Sequence, residues 1–258
     1  MNIISNFIFE YFFVYIWLII TTFINIISPT SGSAIINPVT AFFTDPQRAI
    51  GIGSFIFFLT GLHRVYLFRT EILSHKKNIE IIKTLLPYSV VGAIAGGTLI
   101  SYLNAKVLAG VVVVASLYFI YKTIKQIFKI TKNNKINTKH GLISVAVLSG
   151  FFQGGGMPGA DIRNNYLRSI VSEISVRAVG SFIGLVVFFV TGSIIFINNH
   201  LTNKDIIFIV SVAPFLIVAQ VYGKTFLSKM KDKNAKILSI ALSLLGIVLL
   251  TYKYLLKF

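Results

Sequence analysis

The 258-residue sequence contains no cysteine. Disulfides, thiol catalysis and cysteine-bound metals are therefore excluded. Its four histidines, at positions 63, 75, 140 and 200, are scattered without the spacing of metal ligands. The sequence also lacks the GxxxxGK[ST] phosphate loop, so we expect no ATP binding through that motif. No Ser/His, paired-aspartate or zinc pattern is visible, and we expect the protein not to be an enzyme.

Acidic residues are scarce: the chain has 8 Asp and Glu against 24 Lys and Arg, a formal net charge of +16. A basic balance can indicate nucleic-acid binding. Here the lysines stand in loops between apolar segments, where the positive-inside rule of membrane proteins places them. We therefore expect no nucleic-acid partner and a lipid bilayer as the surroundings.

Apolar residues are abundant, at 55% of the chain, with a mean hydropathy of +0.81. Several segments of about 20 residues are long enough to cross the hydrocarbon core of a bilayer. The stretch AGVVVVASLYFIY at 109–121 has almost no polar face, which argues against a soluble helical protein. We predict an all-α polytopic membrane protein with apolar segments at 7–27, 34–43, 47–68, 84–102, 106–128, 141–152, 160–170, 174–198, 204–222 and 235–256.

Two of these segments are interrupted by helix breakers. SPTSGS lies between 27 and 34, and QGGGMPG lies between 152 and 160. A shift of 127 residues superposes the two breaks without a gap and gives seven identities across positions 32–56, among them GSFI at 53–56 on GSFI at 180–183. The sequence therefore predicts an internal duplication: a first transmembrane repeat at 1–128, a basic cytoplasmic linker at 129–139 and a second transmembrane repeat at 140–258.

The positive charges predict how the halves are oriented. If each broken segment enters and leaves the membrane on one side, the loops at 69–83, 122–139, 163–177 and 223–236 share a side that holds 18 Lys and Arg, against 5 on the other. That arrangement obeys the positive-inside rule. It predicts two inverted repeats, each with a broken, re-entrant first segment followed by three transmembrane helices. Both termini would lie on the outer side of the cell membrane.

Non-helical backbone inside a bilayer is tolerated only where protein or a water-filled cavity surrounds it. We therefore expect the two breaks to meet near the midplane, where secondary transporters bind their substrates. Half-helices that start after Gly32 and Gly159 would point positive dipole ends at a bound anion. The candidate substrate-binding residues are Ser31, Gly32, Ser33, Asn37, Ser54, Gln153, Gly154, Gly155, Gly156, Gly159, Arg163, Asn164 and Ser181.

Other polar or glycine-rich features leave alternatives open. Asp161 is a candidate for coupling to protons or cations, but it could equally cap the half-helix that follows the second break. Ser54 and Ser181 could bind substrate or pack between helices. The stretch GAIAGG at 92–97 is better explained by helix packing.

The two breaks, SPTSGSAIINP and GFFQGGGMPGADIRNN, together with AIGIGSF and RAVGSF downstream, resemble the TauE/SafE sulfite-exporter family of membrane permeases. The resemblance covers nearly the whole chain. It implies a secondary transporter of a small anion such as sulfite, a sulfonate or another organic anion, without an organic cofactor. H⁺ and Na⁺ are candidate coupling ions. An anion channel and a non-transporting membrane receptor or enzyme remain alternatives, and a homo-oligomer stays open.

Overall fold

The structure is a computed structural model that describes residues 2–27, 32–128, 139–227 and 232–256. Within these ranges all regular structure is helical, and a π-helical turn, Tyr252–Leu256, follows the last helix. The helices are α1 (Asn2–Ile27), α2 (Ser33–Phe43), α3 (Pro46–Leu67), α4 (Arg69–Ser74), α5 (Lys76–Tyr102), α6 (Ala105–Ile127), α7 (Lys139–Gly154), α8 (Ala160–Leu167), α9 (Glu173–Ile197), α10 (Asn203–Leu227) and α11 (Asp232–Thr251).

Six helices of the described chain are long and apolar enough to cross a membrane: α3, α5, α6, α9, α10 and α11. This confirms the prediction of a polytopic helical membrane protein. The main departure is α5, which begins at Lys76 and not near residue 84. Hydrophobicity identifies only the part of a helix that lies inside lipid. The first turns of α5, which carry lysines, are therefore not part of the predicted apolar segment. The interval between 128 and 139 lies outside the described residues, so the predicted linker stays a prediction.

Helices in the two halves of the chain start at a constant interval. The first residues of α2, α3, α5 and α6 are 33, 46, 76 and 105, and those of α8, α9, α10 and α11 are 160, 173, 203 and 232. Every start in the second half follows its counterpart in the first half by the same distance along the chain. This interval equals the sequence offset that superposes the two breaks.

Helices α3 and α9, which are counterparts at this offset, pack against each other in antiparallel orientation. The ring of Phe55 lies against Gly192 at one end of the contact, and Leu185 lies against Gly61 at the other. Phe57 and Phe188 stack between them, with ring centroids 4.7 Å apart. These two helices, which correspond at the offset, therefore run in opposite directions.

Helices α5 and α7 run parallel and touch backbone to backbone. A Cβ on Gly92 or Gly96 would overlap the carbonyl oxygens of Val147 and Phe151 in α7. A Cβ on Gly150 would in turn overlap the carbonyl oxygen of Ser89. Small residues let two helices approach this closely, so the packing role predicted for GAIAGG is confirmed.

Polar contacts between the halves are reciprocal. Arg48 in the first turn of α3 donates from Nε to Asp205 of α10 at 2.8 Å. Its counterpart Ser175 in α9 accepts a bond from Asn78 of α5 at 3.3 Å. The offset between the halves relates Ser175 to Arg48, and it also relates Asp205 to Asn78. The pair Arg48–Asp205 joins α3 to α10, and the pair Ser175–Asn78 joins the corresponding helices α9 and α5. The two pairs are therefore at equivalent positions in the two halves.

Candidate functional site

The second break is a tight hairpin between α7 and α8. The α-helical bonds continue to Gly155, whose N–H donates to Phe151 at 2.8 Å, and then give way to irregular ones. Gly156 has φ of +72°, a conformation that L side chains rarely adopt, and a Cβ there would lie 2.5 Å from Ile50. Glycine at 156 is therefore required by the turn and by its packing on α3.

Gly159 closes this hairpin and is the N-cap of α8. A Cβ at this position would lie 2.7 Å from the backbone nitrogen of Gln153 in α7. The chain thus returns alongside α7 after a short stretch without helix. Gly154, predicted to bind substrate, packs under the backbone of Ala93 in α5. The glycines on either side of the turn are required for close packing between backbones.

Asn37 of the first half holds the turn of the second. Its side chain is 3% exposed, and its Nδ2 donates to the carbonyl oxygen of Gly156 at 2.6 Å. The donor and the acceptor are 119 residues apart in the chain. The first half-helix and the second break are therefore in direct contact.

Arg163, the fourth residue of α8, is 1% exposed. Its Nη1 donates to Oε1 of Gln153 at 3.0 Å, and its Nη2 donates to the carbonyl oxygen of Gly180 at 3.1 Å. Its Nε is buried without a hydrogen-bond partner. Among the described residues, no carboxylate oxygen lies within 4.0 Å of this guanidinium. A buried cation without a counter-ion is unfavourable by several kcal/mol.

The two predicted asparagines have the same surroundings in both halves. Oδ1 of Asn37 lies 2.6 Å from where a Cβ on Gly53 would be, and Oδ1 of Asn164 lies 3.0 Å from the same point on Gly180. Both oxygens are buried without a hydrogen-bond partner. Each half thus presents one buried amide oxygen against a glycine of the following long helix.

The remaining predicted residues fall into three groups. Ser31 lies outside the described residues. Gly32 is the N-cap of α2 and, like Ser33 and Ser54, is buried. Ser181 is half-buried in α9, immediately after Gly180. The role of these serines as substrate ligands stays a prediction.

Asp161 does not act as a cap. The N-cap of α8 is Gly159, without a side-chain capping bond, and the carboxylate of Asp161 accepts no hydrogen bond from the part of the chain that the structure describes. Asp161 instead lines a cavity of 670 Å³ between α6 and the second break, together with Lys122. The same described residues contain no group of three or more His, Cys, Asp or Glu that could hold a metal.

The first half-helix is packed differently from the second. A Cβ on Gly246 of α11 would lie 2.9 Å from Pro38 of α2, whereas the cavity separates α8 from α6. Lys253 donates from Nζ to the carbonyl oxygens of Ala41, Phe42 (2.8 Å) and Thr44 at the end of α2. One half-helix is therefore fixed to its neighbour and the other is set apart.

Sequence reasoning missed one functional feature. It singled out the serines of the repeated GSFI and overlooked the glycines before them, which receive Asn37 and Asn164. The equal spacing from Asn37 to Gly53 and from Asn164 to Gly180 was the available signal. Lys122 belongs to both the predicted apolar segment at 106–128 and the loop counted from 122, and the structure places it inside α6.

Comparison with known proteins gives one match. A family model described as sulfite exporter TauE/SafE matches residues 14–250. No curated protein and no solved structure matches the chain.

Proposed function

From the premise that this chain belongs to the sulfite exporter TauE/SafE family, and is therefore a multi-pass membrane transporter of sulfite or related anions, we propose that it is a secondary transporter. Its anion would bind where the second break meets Asn37 and Arg163. Transport would proceed by alternating access of the two halves to this site.

The observation that carries the proposal is the buried guanidinium of Arg163, which no carboxylate of the described residues contacts within 4.0 Å. Its guanidinium is 1% exposed, uses Nη1 and Nη2 for neutral acceptors and leaves Nε without a partner. A small oxyanion would supply an acceptor for Nε and a negative charge in direct contact with the guanidinium. The positive dipole end of α8, which starts one turn before Arg163, favours the same ligand.

Inverted repeats account for the contacts between the halves. The common offset of the helix starts, the antiparallel pair α3 and α9, and the exchange of Arg48–Asp205 for Ser175–Asn78 all support a two-fold relation between the halves. A two-fold axis in the membrane plane relates the halves of many transporters and passes near their sites.

The contacts also favour a re-entrant second hairpin. Helix α7 runs parallel to α5, so both start on one side. Lys77, in the first turn of α5, donates to the carbonyl oxygen of Ile170, just after α8. The chain would therefore enter and leave on that side. The excess of positive charge on that side of the membrane assigns the side to the cytoplasm. Both termini would then lie on the outer side, and the membrane would be the plasma membrane.

The unequal packing of the half-helices supports alternating access. With α2 fixed to α11 and α8 separated from α6 by a cavity, the two halves have different conformations in one chain. Exchange of these two arrangements would open the site to the other side. Asp161, which has no hydrogen bond in the described structure, is the candidate for coupling this exchange to H⁺ or Na⁺.

Flux into liposomes tests the proposal. The purified chain should catalyse saturable uptake of sulfite or of a simple sulfonate, and Arg163→Gln should lower the rate about 30-fold or more, as expected when a buried charge loses its role. Arg168→Gln is the matched control, because Arg168 is partly exposed and pairs with Glu173. Uptake no greater than in protein-free liposomes across such anions would reject the function. Single-channel currents would instead favour the alternative function, an anion channel.

A further inference from the structure

A long groove follows one face of α6. Its wall on that helix runs from Val107 to Lys122, about 22 Å at the rise of an α-helix. Phe152, Met157 and Ile162 form much of the opposite wall. The volume is 670 Å³, and the walls are apolar except near Lys122 and Asp161. The groove is longer than the roughly 15 Å hydrocarbon depth of one leaflet.

The groove opens sideways to the outside of the molecule. Val114 and Tyr118, which lie on its wall, are 67% and 59% exposed. In a membrane-spanning helix this exposure is to lipid chains and not to water. An aqueous path for an anion would need polar walls, which the groove lacks over most of its length.

Gly110 leaves part of the groove empty of protein. No described heavy atom lies within 4 Å of where its Cβ would be, apart from its chain neighbours and its own helix backbone. A glycine inside a helix costs about 1 kcal/mol relative to alanine. Gly92 and Gly96 offset this cost through packing, but Gly110 has no such contact. The space at Gly110 is therefore suited to an external apolar group.

A lysine lies at one end of the groove. Lys122 and Asp161 both line it, and no ion pair within 4.0 Å joins them among the described side chains. Arg168, which pairs with Glu173, adds no net charge to this end. Lys122 is therefore the cation on the described lining that is available to a headgroup, and it lies on the side with the basic loops. Anionic lipids are attracted to such basic positions.

We propose that this groove binds one anionic phospholipid, with an acyl chain along α6 against the second break and the headgroup phosphate at Lys122. In the first half, α11 packs directly against α2. In the second half, the lipid fills the corresponding space beside α8. The groove adjoins the anion site through Asp161 and Ile162, which precede Arg163 in α8, but the lipid proposal does not depend on which anion is transported.

Retention of lipid by the purified full-length chain tests the site. Native mass spectrometry would count phosphatidylglycerol or phosphatidylcholine bound after detergent exchange with each lipid. The wild-type chain should keep one phosphatidylglycerol, bound about fivefold more tightly than phosphatidylcholine, the contribution of about one surface lysine. Gly110→Phe should remove the bound lipid, since the ring enters open space without a clash. Lys122→Gln should abolish the preference between the two lipids.

Two control variants separate the site from general effects. Lys125→Gln removes a charge one turn away, where Nζ lies 4.6 Å from the Tyr121 ring centroid and not in the groove. Leu117→Phe adds an aromatic ring on an exposed face outside it. Both should retain phosphatidylglycerol like the wild type. Retention by Gly110→Phe, an unchanged preference in Lys122→Gln, or no retained lipid in the wild type would overturn the proposal. A chain dimer that Gly110→Phe dissociates would assign the groove to a second copy instead.

Discussion

The amide oxygen of Asn37 faces Gly53 so closely that a Cβ on this glycine would lie 2.6 Å from it. Asn164 stands in the same relation to Gly180, at 3.0 Å. The first distance is shorter than side-chain atoms tolerate, and the second requires a small displacement. Both contacts join a half-helix to the long helix that follows it.

We expect Gly53→Ala to lower thermal stability and anion flux, and Gly180→Ala to have a smaller effect in the same direction. An added methyl group would displace the Asn37 side chain, which also holds Gly156. Gly184→Ala is the control, because a Cβ there meets its nearest described atom at 3.9 Å and should gain about 1 kcal/mol in helix propensity. Unfolding in detergent and flux in liposomes measure both effects. Equal results for Gly53→Ala and Gly184→Ala would contradict the contact.

Replacing Asn37 by aspartate should lower both stability and anion flux, although the two side chains have nearly the same size. An ionised carboxylate cannot donate to the carbonyl oxygen of Gly156, so the break loses its support from the first half. We expect a loss of about 1–3 kcal/mol in stability, the cost of leaving a buried acceptor unpaired, together with loss of flux. Asn198→Asp, at an exposed helix end, is the matched control. Wild-type flux in Asn37→Asp would show that the breaks keep their shape without this bond.

Asp161→Asn should leave stability within about 0.5 kcal/mol of the wild type, because the carboxylate makes no capping bond. A capping residue would cost about 1 kcal/mol instead. If Asp161 couples transport to an ion, the variant should lose the dependence of flux on pH or sodium while it still exchanges anion. Flux with an unchanged ion dependence would remove Asp161 from the coupling scheme.

Lys253→Met should loosen α2 from α11. The lysine satisfies three carbonyl oxygens at the end of α2, and methionine keeps the length of the side chain without the donors. Because the chain has no cysteine, Val39→Cys can be labelled without background; Val39 is 3% exposed and packs on α11 near Gly246. A membrane-impermeant maleimide should label it faster, by several-fold, in Lys253→Met. Lys204→Met, which removes an exposed lysine, should leave the rate unchanged; equal rates in both variants would exclude a role for Lys253.

Much of the helical layout could be predicted because it depends on local sequence. Apolar length located the six long helices, and Pro and Gly located the break between Gly154 and Ala160. The offset that superposes the two breaks in the sequence recurs in the helix starts. Asp161 shows the limit: an acid in the first turn of a half-helix is compatible with a cap, and only the geometry shows that it faces a cavity.

The sequence by itself determined a membrane protein of long apolar helices with a second-half break and a constant offset between its halves, because hydrophobic length and backbone breakers act over short stretches of chain. Only the tertiary structure decided that Asn37 reaches Gly156, that Arg163 is buried without a carboxylate within 4.0 Å among the described residues, and that Gly154 packs against α5. These are contacts between helices distant in the chain. Their geometry depends on how the halves pack together, which no local pattern of residues encodes.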